Sequence, residues 1–401
     1  MRILILTSTF PRFSGDAQAN FVGEQAQAWI AKRPQDEITV LAPHHAGART
    51  SEVMSGLKVL RYRYFLPESG QQVAYPAILP NIRRRPALGL QIPFLLFAQY
   101  RAAKSVVENW QPSVVYAHWV MPQGLIAWVL KRRLGIPYIL QNHSSDLSVF
   151  ARLGRLGRLL ARSILRDCEH FFCVNTTQKE YALSLLPSGE RERFSARCSV
   201  LPMGIAGVSN FVAATESKFD IATIARLSRK KGLNFLIEAA ELLARRGVRP
   251  RIGIAGDGED RAELEAMVKD ADITFTGFIT GKSKDEFFSK SLTFAFPSRA
   301  FRGDVEGLPV ALLEALCSGH RVLASKDTNI EQLAEWPKIK SDVTFVDDPA
   351  DIPSLSSAME RLLAAAVSPS GVASLISRYQ WTSLINEYLG AIDAALANRQ
   401  H

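Results

Sequence analysis

The chain has 401 residues, with 48 Lys+Arg against 39 Asp+Glu for a formal net charge of +9. Apolar residues make up 47% and charged residues 22%, and the mean hydropathy is +0.01; this excludes a disordered or low-complexity chain and fits two or three globular domains of ~150 residues each. The basic excess favours phosphate-bearing ligands or an acidic surface as partners. Four cysteines, Cys168, Cys173, Cys198 and Cys317, form neither a disulfide framework nor the paired spacing of a zinc site, so a reducing cytoplasm is the expected location.

The opening run MRILILTS is too short for a signal-peptide core and reads as a first strand. Strand segments EITVLAPH, LKVLRYRYF, SVVYAHW, IPYILQNH, HFFCVN and CSVLPMG follow, most of them separated by helical stretches. The run LGLQIPFLLFAQY at 88–100 contains Gln91 and Pro93 and falls short of the ~20 residues needed to span a bilayer. At 206–217, AGVSNFVAATES, the periodicity lapses, which marks a linker. Alternation restarts with strand FDIATIA, helix LNFLIEAAELLARR, strand RIGIAGDG, helix EDRAELEAMVKD, strand ITFTGF, helix KDEFFSKS, strand LTFAFPS, helix PVALLEALCSG and strand HRVLAS. This is the α/β pattern of two doubly wound, Rossmann-like parallel-sheet domains. The predicted organisation is a domain over 1–205, the linker 206–217, a second domain over 218–378, and an amphipathic closing helix over 379–398 that packs back toward the first domain.

In EGLPVALLEALCSG, Glu306 and Glu314 are separated by seven residues, and a helix opens just after Gly307 and Leu308 with Pro309 as its expected first residue. A helix N-terminus offers free N–H groups to a phosphate, and Gly307 permits close approach. Glu314 falls on the second turn, so one ligand could touch both carboxylates; a surface helix that happens to carry two glutamates is the plainer alternative. IARLSRKKG puts Arg226 and Lys231 just after the first strand of the second domain, where open α/β sheets bind ligands. Both could flank a diphosphate, or they could simply form a solvated basic helix start. Gly256 in GDGED sits in a strand-to-helix turn near the same place, which an ordinary tight turn also explains.

The segments ARLSRKKG, GDGED, FTGF and AFPSRAFRGDVEGLPVALLEALCSG, in that order, resemble family four of the retaining GT-B glycosyltransferases. TSTFPRFSGD, FVGEQAQAW, VVYAHWVMPQG, IPYILQNHSSDL and VLPMGI are similar to first-domain motifs of its bacterial polysaccharide-assembly members. The resemblance implies a GT-B architecture, its two domains facing across a cleft with the acceptor on the first and a nucleotide diphosphate sugar on the second. By the same resemblance Arg226 and Lys231 match a basic pair on the donor diphosphate, Glu314 a carboxylate on the ribose hydroxyls, and Glu306 a residue facing the transferred sugar. The amides around Gly307 and Leu308 match contacts to sugar and phosphate, and Gly256 is placed on the donor side. His143 matches a first-domain histidine near the reacting sugar, and Gly15 and Asp16 match a loop that closes over donor and acceptor. The chain departs from the family pattern at Ser14 before Gly15, at Ala206, and at Thr328-Asn329-Ile330-Glu331.

His118 could line the acceptor side or be a hydrogen-bonded core histidine. His44 and His45 are assigned no role, having no acidic or cysteine partner at metal-site spacing. No metal ligand set or bound cofactor is expected, and the pair Asp270 and Asp272 reads as chance. Arg83, Arg84 and Arg85, and Arg152, Arg155, Arg158, Arg162 and Arg166 spaced against leucines, suit anionic lipid headgroups or an ordinary solvated face. Gly154 and Gly157 are expected to weaken that second stretch as a helix. No recognition element for nucleic acid is present. The expected partners are thus a nucleotide sugar, a glycan or lipid-linked acceptor, and the inner face of the cell membrane. Retaining transfer in bacterial surface polysaccharide biosynthesis is the function expected; a sugar-nucleotide epimerase of the same fold or a catalytically silent assembly subunit is the alternative.

Overall fold

The computed structural model describes the chain except residues 14, 17–19, 144–145, 152, 207–216, 302–305, 366–375 and 398–401. It divides into two compact units: Met1–Leu201 together with the chain from Leu384 onward, and Pro202–Ser383. Most of the expected linker 206–217 lies outside the described residues.

The first unit holds β1 (Arg2–Leu6), β2 (Glu37–Pro43), β3 (Ser51–Met54), β4 (Leu57–Tyr62), β5 (Val114–His118), β6 (Tyr138–Gln141), β7 (His170–Cys173) and β8 (Cys198–Val200), in the spatial order β3-β4-β2-β1-β5-β6-β7-β8. Every pairing is parallel except β3 with β4. Ile3 sits opposite Ile38 on one side and Val114 on the other. Ile3, Leu4, Ile5 and Leu6 are all buried, the continuous pattern of a strand covered on both faces. The edge strand β3 has no counterpart in the sequence expectation, because SEVM carries no apolar run and stays partly exposed. It is held by register to β4 and by a two-residue turn at Ser55 and Gly56, both with positive φ, the twist a tight hairpin requires.

The second unit holds β9 (Phe219–Ile224), β10 (Ile252–Ala255), β11 (Ile273–Gly277), β12 (Ser291–Phe296), β13 (Arg321–Ser325) and β14 (Val343–Val346), ordered β11-β10-β9-β12-β13-β14 and parallel throughout. The helix Leu233–Arg245 buries Leu236, Ile237, Ala240 and Leu243, spaced to face the sheet. β14, four residues set between charged flanks, is a second addition to the expected strands.

The helix Trp381–Ala397 carries the chain back to the first unit: the Tyr388 ring lies 4.8 Å from that of Phe172, its hydroxyl donates to the Leu201 carbonyl at 3.1 Å, and Arg33 pairs with Asp393. The stretch 154–167 is a helix despite its glycines. A Cβ at Gly157 would come within 2.0 Å of the Phe150 carbonyl, so glycine there is what lets the helix pack. The helix faces inward with Gly157, Ala161, Ile164 and Leu165 and leaves Leu153, Leu156 and Leu159 exposed among its arginines. No helix among the described residues is long and apolar enough to cross a membrane.

Candidate functional site

In the second sheet the strand order reverses between β9 and β12, and the crevice at the carboxyl ends of such neighbours is where open α/β sheets bind ligands. Arg226 and Lys231 leave the end of β9; Glu306 and the helix Val310–Cys317 follow β12. Gly232, at φ +65°, is what brings these two segments together: a Cβ there would sit 1.8 Å from the Pro297 carbonyl. The Lys230 carbonyl also accepts from the Arg299 amide at 2.8 Å.

Lys231 Nζ donates to Glu306 Oε2 at 2.5 Å, with the two side chains only 17% and 11% exposed. Burial alone would raise the Glu306 carboxyl, but the Lys231 and Lys230 charges, the Lys231 hydrogen bond and the Gly307 amide together hold it down at about 2. The Gly307 N–H is thereby turned toward Glu306. An ammonium has three donors, and among the described residues Lys231 spends one of them, on Glu306. Arg226 is steadied differently: its Nε donates to Glu259 at 2.9 Å, and its two terminal nitrogens have no partner among the described residues. That leaves the fork of the guanidinium available to a phosphate.

Pro309 is the N-cap of the helix and Val310 its first residue, one position later than the sequence reading put the start. Proline has no N–H, so the cap contributes only its carbonyl, which accepts from Leu312 and Leu313 at 3.1 and 3.3 Å. Glu314, on the second turn, is 4% exposed and takes a hydrogen bond from Lys284 Nζ at 2.5 Å. Its carboxyl is pushed up, by burial first and by Asp285, against the pull of Lys284. Asn329, one of the departures from the family pattern, adopts φ +59° and donates through Nδ2 to the carbonyls of Glu306 at 3.0 Å and Gly307 at 2.8 Å. It fastens the segment that carries Glu306 and Leu308. Gly256 has a packing reason: at φ +132° its Cβ would lie 1.8 Å from the Ala225 carbonyl, clamping the end of β10 to the turn that carries Arg226.

The first sheet reverses between β1 and β5. His118 ends β5 and His143 follows β6; the rings stack at 5.2 Å and 14°, with His118 Nδ1 3.0 Å from His143 Nε2. Burial holds His118 at about 3, and burial together with His118 holds His143 well below its usual value, so both rings are neutral at neutral pH. Trp119, at the unusual φ of +75°, and Phe21 pack on the His143 ring at 4.6 and 5.0 Å. Asp146 ties the two strand ends together, accepting from the Val120 amide at 2.6 Å and from Asn142 Nδ2 at 2.5 Å. The loop after β1 turns at Gly15, φ +80°, and Asp16 accepts from the Arg12 amide, Nε and Nη2 at 2.7, 2.8 and 2.7 Å, so Asp16 closes the loop on itself. Ser14 and residues 144–145 of the NHSSD segment lie outside the described residues.

Lys231 and Glu306 are thus brought together, and Arg226 belongs to the same switch point. Lys284, Glu259 and Asp146 carry parts of the arrangement to which the sequence reading gave no role, and Asn329 entered it only as a departure from the family pattern. Asn329 and Asp146 had local signals, an asparagine in a turn and an aspartate four residues after Asn142. Lys284 lies thirty residues from Glu314 and had none. Among the described residues there is no group of three or more His, Cys, Asp or Glu placed to hold a metal ion.

Two nucleotide-fold domains whose switch points carry these groups define the class, and comparison with known proteins defines the family. A Glycosyl transferase 4-like domain matches residues 17–195 and the Glycosyl transferases group 1 domain matches residues 209–366. The chain belongs to the group 1 glycosyltransferases of the GT-B fold. TuaC of Bacillus subtilis (strain 168), whose name places it in teichuronic acid biosynthesis, is 27% identical over 79% of this chain and 78% of its own. The amylovoran biosynthesis glycosyltransferase AmsK of Erwinia amylovora is 35% identical over 29% of this chain, a match spanning 30% of AmsK. Among solved structures, sucrose-phosphate synthase from Thermosynechococcus elongatus superposes with a TM-score of 0.71 at 15% identity, covering 99% of each chain. The galactosyltransferase WaaB of the lipopolysaccharide outer core does so with 0.60 at 12% identity, covering 98% and 99%. These likenesses show the fold.

Proposed function

We propose that the protein transfers a sugar from a nucleoside diphosphate sugar to a glycan or lipid-linked acceptor with retention of anomeric configuration, in the assembly of a bacterial surface polysaccharide. The observation that carries the reading is the β9/β12 switch point, where Lys231 is paired to Glu306 and the terminal nitrogens of Arg226 have no partner among the described residues. Arg226 and Lys231 take the diphosphate and, with the amides at the start of the helix Val310–Cys317, stabilise the charge that grows on the departing group. Glu314, held by Lys284, accepts from the ribose hydroxyls, and Glu306 orients the transferred sugar beside Gly307 and Leu308. Gly256 lets the donor turn pack closely. In the first unit, neutral His143 orients the sugar through a hydrogen bond and His118 stands behind it on the acceptor side, with the Gly15–Asp16 loop.

The acceptor hydroxyl attacks from the face the diphosphate leaves: the bond from the anomeric carbon to the acceptor oxygen forms as the bond to the phosphate oxygen breaks, and the diphosphate takes both the electron pair and the acceptor proton. The cations supply the charge a metal ion supplies elsewhere, so activity without an added metal is part of the proposal. The relatives named for teichuronic acid and amylovoran biosynthesis support the substrate class.

A peripheral membrane contact fits the first unit's surface. Leu90, Phe94 and Phe97 stand exposed on the stretch after Arg83–Arg85, and Leu156 and Leu159 stand exposed between Arg155, Arg158 and Arg162; apolar side chains ringed by arginine suit an anionic leaflet. Unfolding followed with UDP, GDP, ADP and their sugars tests the donor reading, since a ligand at 100 times its Kd adds ~2.7 kcal/mol. Arg226→Ala and Lys231→Ala should abolish that stabilisation and turnover; stabilisation unchanged in both sinks the reading.

A further inference from the structure

A cavity of about 210 Å³ opens in the first unit beyond the carboxyl ends of β2 and β4. His45, Gln72, Tyr75, Asn81, Arg84 and Arg85 line it, and no acidic side chain among the described residues does. Its frame is held by hydrogen bonds, of which those from Tyr75 are buried. The Tyr75 hydroxyl donates to the Phe10 carbonyl at 3.1 Å with the Pro43 carbonyl at 3.2 Å, fixing that wall to the ends of the loop after β1 and of β2. Asn81 spends Nδ2 on the carbonyls of Gln72, Val73 and Tyr75, at 3.0, 3.1 and 2.6 Å, which holds the other wall. His45 lies edge-on to Tyr75 with ring centroids 5.7 Å apart, and its Nδ1 donates to the Ala46 carbonyl at 2.8 Å. That bond puts the neutral ring's proton on Nδ1 and leaves Nε2 as an acceptor, fit for a ligand hydroxyl rather than for an anionic oxygen.

Two exposed guanidiniums thus border the frame, and none of the described lining residues is acidic. Among the described residues Arg85 makes one side-chain hydrogen bond, Nη1 to Gln72 Oε1 at 3.2 Å. Neither it nor Arg84 has a carboxylate within ion-pair distance among the described residues, whereas Arg12, Arg33 and Arg61 of the same unit each do. Two adjacent planar forks in a concave setting match the oxygens of a phosphate or a carboxylate. The volume is below that of a whole small-molecule site, so it takes a substituent rather than a full ligand. Tyr75 also borders the loop after β1, its ring 5.9 Å from the Arg12 guanidinium that holds Asp16.

We propose that this cavity is a recognition pocket for an oxyanion, phosphate or carboxylate, carried by the acceptor, with Arg84 and Arg85 as the binding forks and His45 Nε2 accepting from a hydroxyl of the ligand beside the anion. The assignment to the acceptor rests on the reading of the first unit as the acceptor side; the pocket's taste for oxyanions does not.

The test is calorimetric titration of the full-length chain with phenyl phosphate, phenyl glucuronide and, as the neutral control, phenyl glucoside, alongside UDP, GDP and ADP. One or both anionic probes should bind and the glucoside should not; which anion binds tighter assigns the acceptor's group. The double variant Arg84→Gln, Arg85→Gln should weaken the anionic probe at least about tenfold while leaving the nucleotide affinity of the wild type unchanged, and His45→Gln should weaken it less. Both arginines are exposed, so the variant is expected to fold. Equal binding of the glucoside, no binding of either anion, or an unchanged Kd in the double variant overturns the pocket. Anion binding by a chain that takes no nucleotide would leave the pocket standing and remove the transferase reading instead.

Discussion

Removing the Lys231 ammonium tests the centre of the site more sharply than activity alone. Glu306 is held at about 2 where an unperturbed glutamate has 4.5; at 1.36 kcal/mol per unit, the 2.5-unit difference is worth about 3 kcal/mol. Both side chains are largely buried, so Lys231→Ala leaves the carboxylate only the Lys230 charge and the Gly307 amide against burial, and the expected loss at pH 7 is about 3 kcal/mol, the low end for a broken buried pair. For a unit of this size that corresponds to roughly 6–12 °C in the melting transition of the second unit. The pH dependence has a definite sign. A depressed carboxyl stabilises the fold in full above its unfolded value of about 4.5 and loses that contribution as pH falls toward 2. The gap between wild type and Lys231→Ala in urea unfolding should therefore be widest at pH 7 and shrink steadily below pH 4.5. Adding Glu306→Gln to Lys231→Ala removes the stranded charge and should recover most of the stability without recovering nucleotide binding. A single variant as stable as wild type at pH 7, or a double variant as unstable as the single, would refute the paired geometry.

His118 is held at about 3, against 6.5, by burial, so below pH 6.5 the unfolded chain binds a proton that the native state refuses and stability falls with pH. His118→Gln should lessen the loss between pH 7 and pH 5 by about 2 kcal/mol, from 1.5 units at 1.36 each, read as a smaller drop in urea midpoint; an unchanged drop counts against a buried neutral ring. Gly232→Ala forces φ +65° on alanine and drives its Cβ against the Pro297 carbonyl, so thermal unfolding should show a loss of about 2 kcal/mol or more, and any stabilisation contradicts the close approach. Lys284→Ala leaves Glu314 buried without its cation; nucleotide affinity by calorimetry should drop about tenfold, with Lys284→Arg closer to wild type, and equal affinity in all three proteins would take Glu314 out of the nucleotide site.

What the sequence made legible was set by local chemistry. Continuous apolar runs such as Ile3 to Leu6 and Ile252 to Ala255 announced buried parallel strands, and the segments bearing Lys231 and Glu306 followed the two strands between which the sheet order reverses. β3 and β14 stayed hidden because one is a half-exposed edge and the other four residues among charges, and both are fixed by register to a neighbour. Within the site, residue types announced charge and its approximate place, but not pairing. Lys231 meets a glutamate seventy-five positions on and Glu314 a lysine thirty positions back, separations that only the sheet closes.

The glycines carry the same lesson into mechanism. Gly232 and Gly256 look like ordinary turn punctuation, yet each stands where a Cβ would strike a carbonyl of the neighbouring strand's exit loop, Pro297 in one case and Ala225 in the other. Both close approaches draw the segments bearing Lys231, Arg226 and Glu306 toward one point, with Asn329 fastening the last of them. Cations confined beside a carboxylate are ordered before any ligand arrives, so an incoming diphosphate meets donors whose conformational freedom is already spent. Loosening that frame through Asn329→Ala, which removes no charge, should therefore weaken nucleotide binding and leave its salt dependence unchanged, whereas Lys231→Ala should reduce both.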